Sequence, residues 1–286
     1  MGIKTKCFMR VKFINLYILY LAILTSACSQ SFQNNSFNII PAGKTIQERF
    51  EIPREYKRIE YDSGSFSHYL QHLSLKPHNT PVYLYNGIKK VPSFHAAIID
   101  MSVGDKDLQQ CADAIMRLRA EYLYAQKRYD DICFHFTNGF KFEYSKWKKG
   151  YRIQVKGNSV HWVNKQSPDK GYETFLSYMQ TVFIYSGTLS LSKELIKKNI
   201  SDLKPGDVFI IGGSPGHAVI VVDHIRNIST GKKYFMIAQS FMPAQSIHIL
   251  VNLNDKNLSP WYAQDFESYL LTPEWTFSRN NLMAFE

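Results

Sequence analysis

The chain has 286 residues, 45% of them hydrophobic and 14% aromatic, with 34 Lys and Arg against 24 Asp and Glu. That supplies apolar residues for one large domain or two small ones. Four of the bases lie in the first 27 residues, which hold no acid, so the remainder carries 30 bases against 24 acids. A surplus this small, without any Lys/Arg block, argues against nucleic acid as a partner.

The first segment carries Lys4, Lys6, Arg10 and Lys12, then an apolar run from Phe13 to Leu24 interrupted only by Asn15. The run is too short to span a bilayer and reads as a secretory signal. Thr25, Ser26 and Ala27 before Cys28 resemble a bacterial lipobox. The resemblance implies removal of residues 1–27, a lipid on Cys28, and attachment to a membrane of the cell envelope. Ser29 and Gln30 carry no acid, which fits an outer-membrane protein facing the periplasm. Residues 28–44 are polar and Asn/Ser-rich, as a tether would be. No repeat or heptad series follows, and 45–286 reads as a single α+β globular domain.

Within that domain, Ser65 and "FSHYLQHL" (66–73) read as a capped short helix, and Asn86-Gly87 as a hairpin turn. "FHAAIID" (94–100) reads as a buried strand. "DLQQCADAIMRLRAEYLYAQKRY" is the most regular segment. Leu108, Cys111, Ala112, Ile115, Leu118 and Tyr122 recur at helical spacing, and Asp107 with Gln110 has the form of a capping box. This predicts a helix from about 108 to 127 with Cys111 in its first turn, facing inward. "ICFHF" reads as a strand, "FEYSKWKKGYRIQV" as a helical turn entering a strand, and "GYETFLSYMQTVFIYS" as a core helix. Strands are expected at 207–211, 217–223, 233–239 and 246–251. Helices first and an antiparallel sheet afterwards read as α+β.

Cys7 leaves with the signal, so only Cys111 and Cys133 stand in the folded domain. An unbroken helix sets Cys111 ~25 Å from residue 128, and five residues recover at most ~17 Å. The remaining ~8 Å exceeds the ~7 Å limit for a disulfide, so two free thiols are expected. Cys133 reads as packing. A thiol at a helix N-terminus is electrostatically placed to be a nucleophile. His217 is the best base to bring to it, because "SPG" before it exposes the start of its strand. A hairpin centred near residue 228 would set His217 opposite Gln239, whose amide oxygen could hold the ring; Ser240 and Asp223 are the alternatives.

Other polar groups read more plainly. His68 and His72, with His78 nearby, lack the glutamate of a zinc-protease motif, and "GGSPGH" lacks the Lys-Ser/Thr of a phosphate loop, so neither a metal nor an organic cofactor is expected. His135, His161 and His248 read as structural. "YSKWKKGYR", with Trp147, Tyr151 and Arg152, is the candidate substrate rim.

The helix-start cysteine of "QCADAIMRLR", the histidine strand of "KPGDVFIIGGSPGHAVIVVD" and the polar position in "FMIAQS" together resemble the papain-like cysteine hydrolases. They are most similar to the cysteine/histidine-dependent amidohydrolase-peptidases that cut cell-wall peptides. The resemblance implies a nucleophile helix packed on an antiparallel sheet, with Cys111 as nucleophile, His217 as general base and Gln239 as the orienting residue. Gln110 is a further oxyanion candidate, and peptidoglycan or another envelope component is the implied partner. The sequence departs from that pattern in a long insertion over 130–200, in Gln at the orienting position, and in Ala112-Asp113 after the cysteine. Over its whole length, through "LQQCADAIMRLRAEYLY", "FHFTNGF", "SPGHAVIVVD" and "AQSFMPAQSIHIL", the chain resembles a family of bacterial envelope lipoproteins built on a domain of unknown function. A non-catalytic binding or scaffold lipoprotein on the same fold is the rival reading.

Overall fold

The β-branched run after Gly216 forms an eleven-residue strand, His217–Asn227, buried from His217 through Ile225. In the computed structural model, which describes residues 37–286, this strand lies at the centre of a nine-stranded sheet. The segment read as a secretory signal and the expected lipid site, Cys28, lie outside the described residues. Along the sheet run β1 (His95–Ile98), β2 (Ile196–Lys197), β3 (Val208–Ile211), β4 (His217–Asn227), β5 (Lys233–Gln239), β6 (His248–Leu250) and β7 (Leu282–Ala284). Their spatial order is β1-β6-β5-β4-β3-β7-β2, and every pairing is antiparallel. Tyr56–Arg58 adds to the far end of β4, and Tyr262–Ala263 pairs with β5.

The central strands are mostly apolar on both sides because both faces of the sheet are covered, with His217, Asp223, His224 and Gln239 as buried polar exceptions. Successive side chains alternate faces. Ala218, Ile220 and Val222 join a core formed with the helices α1 (Cys111–Ala125) and α2 (Tyr172–Tyr185). Val219 and Val221 join a second core with Phe209, Ile237 and the C-terminal Phe277. A bulge interrupts the alternation: Val221 pairs with Ile237 and Asp223 with Met236, which leaves Val222 unpaired. The change of phase returns Ile225 to the helix-covered core.

Helix α1 starts at Cys111 rather than near 108, because the capping acid is Asp113, not Asp107. The Asp113 carboxylate accepts the Gln110 backbone N–H at 3.1 Å. Asp107 instead accepts from the Gln110 amide at 3.0 Å and from the Ala244 backbone N–H at 2.7 Å. Residues between α1 and β3 form two hairpins, α2 and the short α3 (Thr188–Glu194). Aromatic packing organises them: the Phe142 ring stacks on Tyr178 at 4.6 Å and on Trp162 at 5.2 Å. The folded unit takes in the end of the segment read as a tether. Phe37 packs on Tyr56 and Trp261, and Asn38–Ile39 pairs with Phe50–Glu51. No helix among the described residues is long and apolar enough to cross a membrane.

Candidate active site

A tight turn delivers the histidine. In Gly212-Gly213-Ser214-Pro215-Gly216, Gly213 takes φ +115°, where a side chain would strain the backbone. A Cβ at Gly216 would lie 2.6 Å from the Thr188 hydroxyl and 2.7 Å from the Ile211 carbonyl. Only glycine lets the turn press against α3 and then release the chain into β4. The Thr188 hydroxyl donates to the Gly213 carbonyl at 3.1 Å and ties the turn to α3.

Cys111 and His217 meet at one cavity of about 530 Å³, between the start of α1, this turn and an aromatic wall of Phe183, Phe241 and Trp275. The first N–H groups of a helix have no intrahelical acceptor. Those of Cys111 and Ala112 interact with the sulfur, as does the backbone N–H of Ala218, the residue after His217. The sulfur therefore lies against the beginning of β4. Burial pushes the Cys111 thiol up to about 11; the neighbouring Asp113 adds to the rise and the three backbone groups oppose it. Burial likewise pulls His217 down to about 4, against the raising effects of Gln239 and Glu274. At neutral pH the unliganded pair is thus thiol and neutral imidazole, not thiolate and imidazolium. Cys111 and Cys133 are both unbridged.

The hydrogen bonds fix the tautomer. His217 Nε2 lies 2.8 Å from Gln239 Oε1. The other end of the amide, Gln239 Nε2, donates to Glu274 at 2.6 Å, and Glu274 in turn accepts from Lys90 Nζ at 2.5 Å. A carboxylate accepts only, so the amide nitrogen must face Glu274 and its oxygen must face the ring. The His217 proton therefore sits on Nε2, and Nδ1 carries the lone pair. Phe241, Trp275 and Phe277 pack around the imidazole.

Gln239 reaches His217 by a route other than the expected one. Continuing the Ile220–Ala238 register would set Val219, not His217, opposite Gln239. The turn is centred further along the chain than 228, midway between Arg226 and Lys233, and the extra residue of the bulge recovers only one residue of the difference. Gln239 spans the diagonal instead, within reach for long side chains. The alternatives are engaged elsewhere: Ser240 bonds the Gln109 and Gln245 carbonyls, and Asp223 bonds Arg58 and Gln71. Gln110 lines the cavity with one amide hydrogen committed to Asp107.

The expected rim is elsewhere. Trp147 is buried in the aromatic core with the Arg152 guanidinium 4.0 Å over its ring, and neither they nor Tyr151 line the Cys111 cavity. Their place is taken by Trp275 and Phe241. Glu274 and Trp275 were missed; they arrive on the turn between the short strands Tyr269–Leu271 and Thr276–Ser278. The signal available was an acid and a tryptophan after Pro273 in a turn. No group of three or more His, Cys, Asp or Glu suited to a metal occurs among the described residues.

Fold and cavity together define an α+β protein with a mostly antiparallel sheet, whose helix-start cysteine and strand-start histidine share one opening. The chain belongs to the family described as domain of unknown function 4846, whose model matches residues 46–284. No curated protein and no solved structure matches the chain.

Proposed function

We propose that this protein is a lipid-anchored envelope hydrolase of papain-like type that cleaves an amide with Cys111, such as a bond in peptidoglycan stem peptides. The observation that carries the reading is the shared cavity, in which the Cys111 sulfur lies beside β4 while Gln239 holds His217 with Nδ1 unprotonated. As the sulfur attacks the carbonyl carbon, the S–H proton passes to Nδ1. The backbone N–H groups of Cys111 and Ala112 donate to the developing oxyanion. His217 then returns the proton to the leaving amine as the C–N bond breaks. It next takes a proton from the water that attacks the thioester, and returns it to the Cys111 sulfur as the C–S bond breaks. Gln239, fixed by Glu274, keeps the ring in this tautomer, the positioning role that an acid or amide plays in such triads. The anchor rests on the lipobox-like run ending at Cys28, with the outer membrane's periplasmic face as the expected location.

One observation favours the rival reading of a binding lipoprotein: the thiol is not ionised in the unliganded state. The two are separated by incubating the full chain in detergent with peptidoglycan fragments and following the products by mass spectrometry. Release of a new amine, and an acyl adduct on Cys111 at short times, would support the hydrolase. Intact fragments that bind with no adduct would leave the scaffold.

A further inference from the structure

The end of β4 away from the Cys111 cavity carries charge of one sign. Arg226 is paired with Lys57 on one neighbouring strand and with Lys233 on the other. Directly opposed residues share a face, so three cations stand in a row about 10 Å long. Like charges set opposite one another cost stability. None of the three has an ion pair or a side-chain hydrogen bond among the described residues. Lys57 and Arg226 are exposed, and Lys233 also lines a groove of about 460 Å³ with Lys232, Gln264, Asp265 and Arg279.

The groove adds to the surplus. Lys232 meets Asp265 at 3.1 Å, whereas the Arg279 guanidinium donates through Nε and Nη2 to the Phe266 carbonyl, which leaves its charge unneutralised. Row and groove together carry five bases, Lys57, Arg226, Lys232, Lys233 and Arg279, against one acid, Asp265. Glu55 and Asp202, close in sequence to these segments, narrow the excess without reversing it. His224, two residues from Arg226 on the same face, registers the sign: burial pulls it down first, then Lys233 and Lys198, and no carboxylate raises it. An anion spanning the row would remove the repulsion. The place of the row says which anion. Tyr56, the residue before Lys57, packs on Phe37 at 4.9 Å, and Cys28 lies nine residues before Phe37, at most ~30 Å of chain. A lipid on Cys28 would therefore bring this patch within reach of a membrane surface.

We propose that the row Lys57–Arg226–Lys233 is a docking surface for the anionic phosphate headgroups of the membrane, which holds the domain against the bilayer by the end of β4 opposite the Cys111 cavity. The choice of a membrane as the source of the anion rests on the lipid-anchor reading; the hydrolase reading plays no part in it. The test is lysine acetylation of the full chain in vesicles of phosphatidylcholine, alone or mixed with phosphatidylglycerol, read by peptide mass spectrometry. Lys57 and Lys233 should react several-fold more slowly in the anionic vesicles, while Lys156, on the hairpin after Trp147, reacts alike in both. The protection should vanish near about 1 M salt, where the screening length falls to about 3 Å. Arg226→Ala, an exposed change, should weaken it about fivefold, the weight of one base near an anionic surface, with thermal unfolding checking the fold. Equal labelling of Lys57 and Lys233 in the two kinds of vesicle would overturn the proposal. So would equal protection by inorganic phosphate in phosphatidylcholine vesicles, which would make this a site for a free phosphate. Flotation reads the anchor separately. A chain that floats only with anionic vesicles lacks the lipid and keeps this surface, whereas one that floats with both and shows no difference in labelling keeps the lipid and lacks the surface.

Discussion

Strand β4 carries the same arrangement twice. His217 near one end and His224 near the other are both buried, both pulled down to about 4 chiefly by burial, and both bonded through Nε2 to a glutamine Oε1, at 2.8 Å for Gln239 and 2.9 Å for Gln264. They differ at the second ring nitrogen. His224 Nδ1 is met by the Tyr61 hydroxyl at 2.8 Å, and the Gln264 amide continues to the Ile200 carbonyl. His217 instead stands at a cavity that Cys111 also lines, and its glutamine continues to a carboxylate. A buried His–Gln pair is therefore a structural device in itself. What can turn one copy toward chemistry is the unfilled space and the thiol.

The largest test of that contrast is turnover. Cys111→Ala and His217→Ala should each lower kcat by about a thousandfold or more, the scale on which removal of a nucleophile or its base acts. His224→Gln should leave kcat within about threefold while lowering the unfolding midpoint, since a buried network loses a member. Equal losses of activity at both histidines would make both pairs structural and end the hydrolase reading.

Acid should act on both ends alike. His217 and His224 have an ordinary value of 6.5 and are held neutral in the fold down to about 4, and His248 down to about 3, all mainly by burial. A lowered folded value means that the unfolded chain takes up protons first. The contribution is intact above pH 6.5, declines as pH falls, and is gone below the folded value. Each histidine contributes on the order of 3 kcal/mol over that window. Denaturant unfolding between pH 7 and 4 should show this slope, and His224→Gln should make it shallower. A stability flat over the window would contradict the burial of these rings.

How much of this was legible depends on distance along the chain. The strand at His217 was readable because "HAVIVV" follows a Gly/Pro turn, and the helix at Cys111 because its apolar spacing is regular. Pairing of His217 with Gln239 was anticipated for the wrong reason, as direct opposition, because nothing in the "NIST" loop marks the turn centre, which falls beyond 228, midway between Arg226 and Lys233. The charged end of the network was invisible. Glu274 lies between strands of three residues each, too short for a periodic signal, and meets Gln239 across a separation of 35 residues. Trp147 misled because aromatic clustering marks a core as readily as a groove; here Phe142 and Tyr178 pack against it edge-on.

That network provides a finer test. Glu274→Ala frees the Gln239 amide to turn, so that its N–H groups can face His217 and favour the wrong tautomer. We expect a fall in kcat of about ten- to a hundredfold with KM nearly unchanged, a loss smaller than removal of the ring. Gln264→Ala at the other histidine should leave kcat as it is. Loss of folding in Glu274→Ala would be recognised by thermal unfolding, and Glu274→Gln, which still accepts through its carbonyl oxygen, should recover part of the rate.

The smallest effect concerns the resting thiol. With Cys111 near 11 and His217 near 4, the imidazole is uncharged throughout the range in which the sulfur ionises, so it offers the thiolate no cation. Iodoacetamide alkylation of the unliganded protein should rise only toward alkaline pH, and Cys133, also pushed up to about 11 by burial, should follow a similar curve. His217→Gln should shift the Cys111 curve by less than about one pH unit, because no charge is removed. A Cys111 that alkylates fully near pH 6, and loses this in His217→Gln, would mean a preformed ion pair. In that case proton transfer precedes substrate binding, and the part assigned to His217 begins one step earlier.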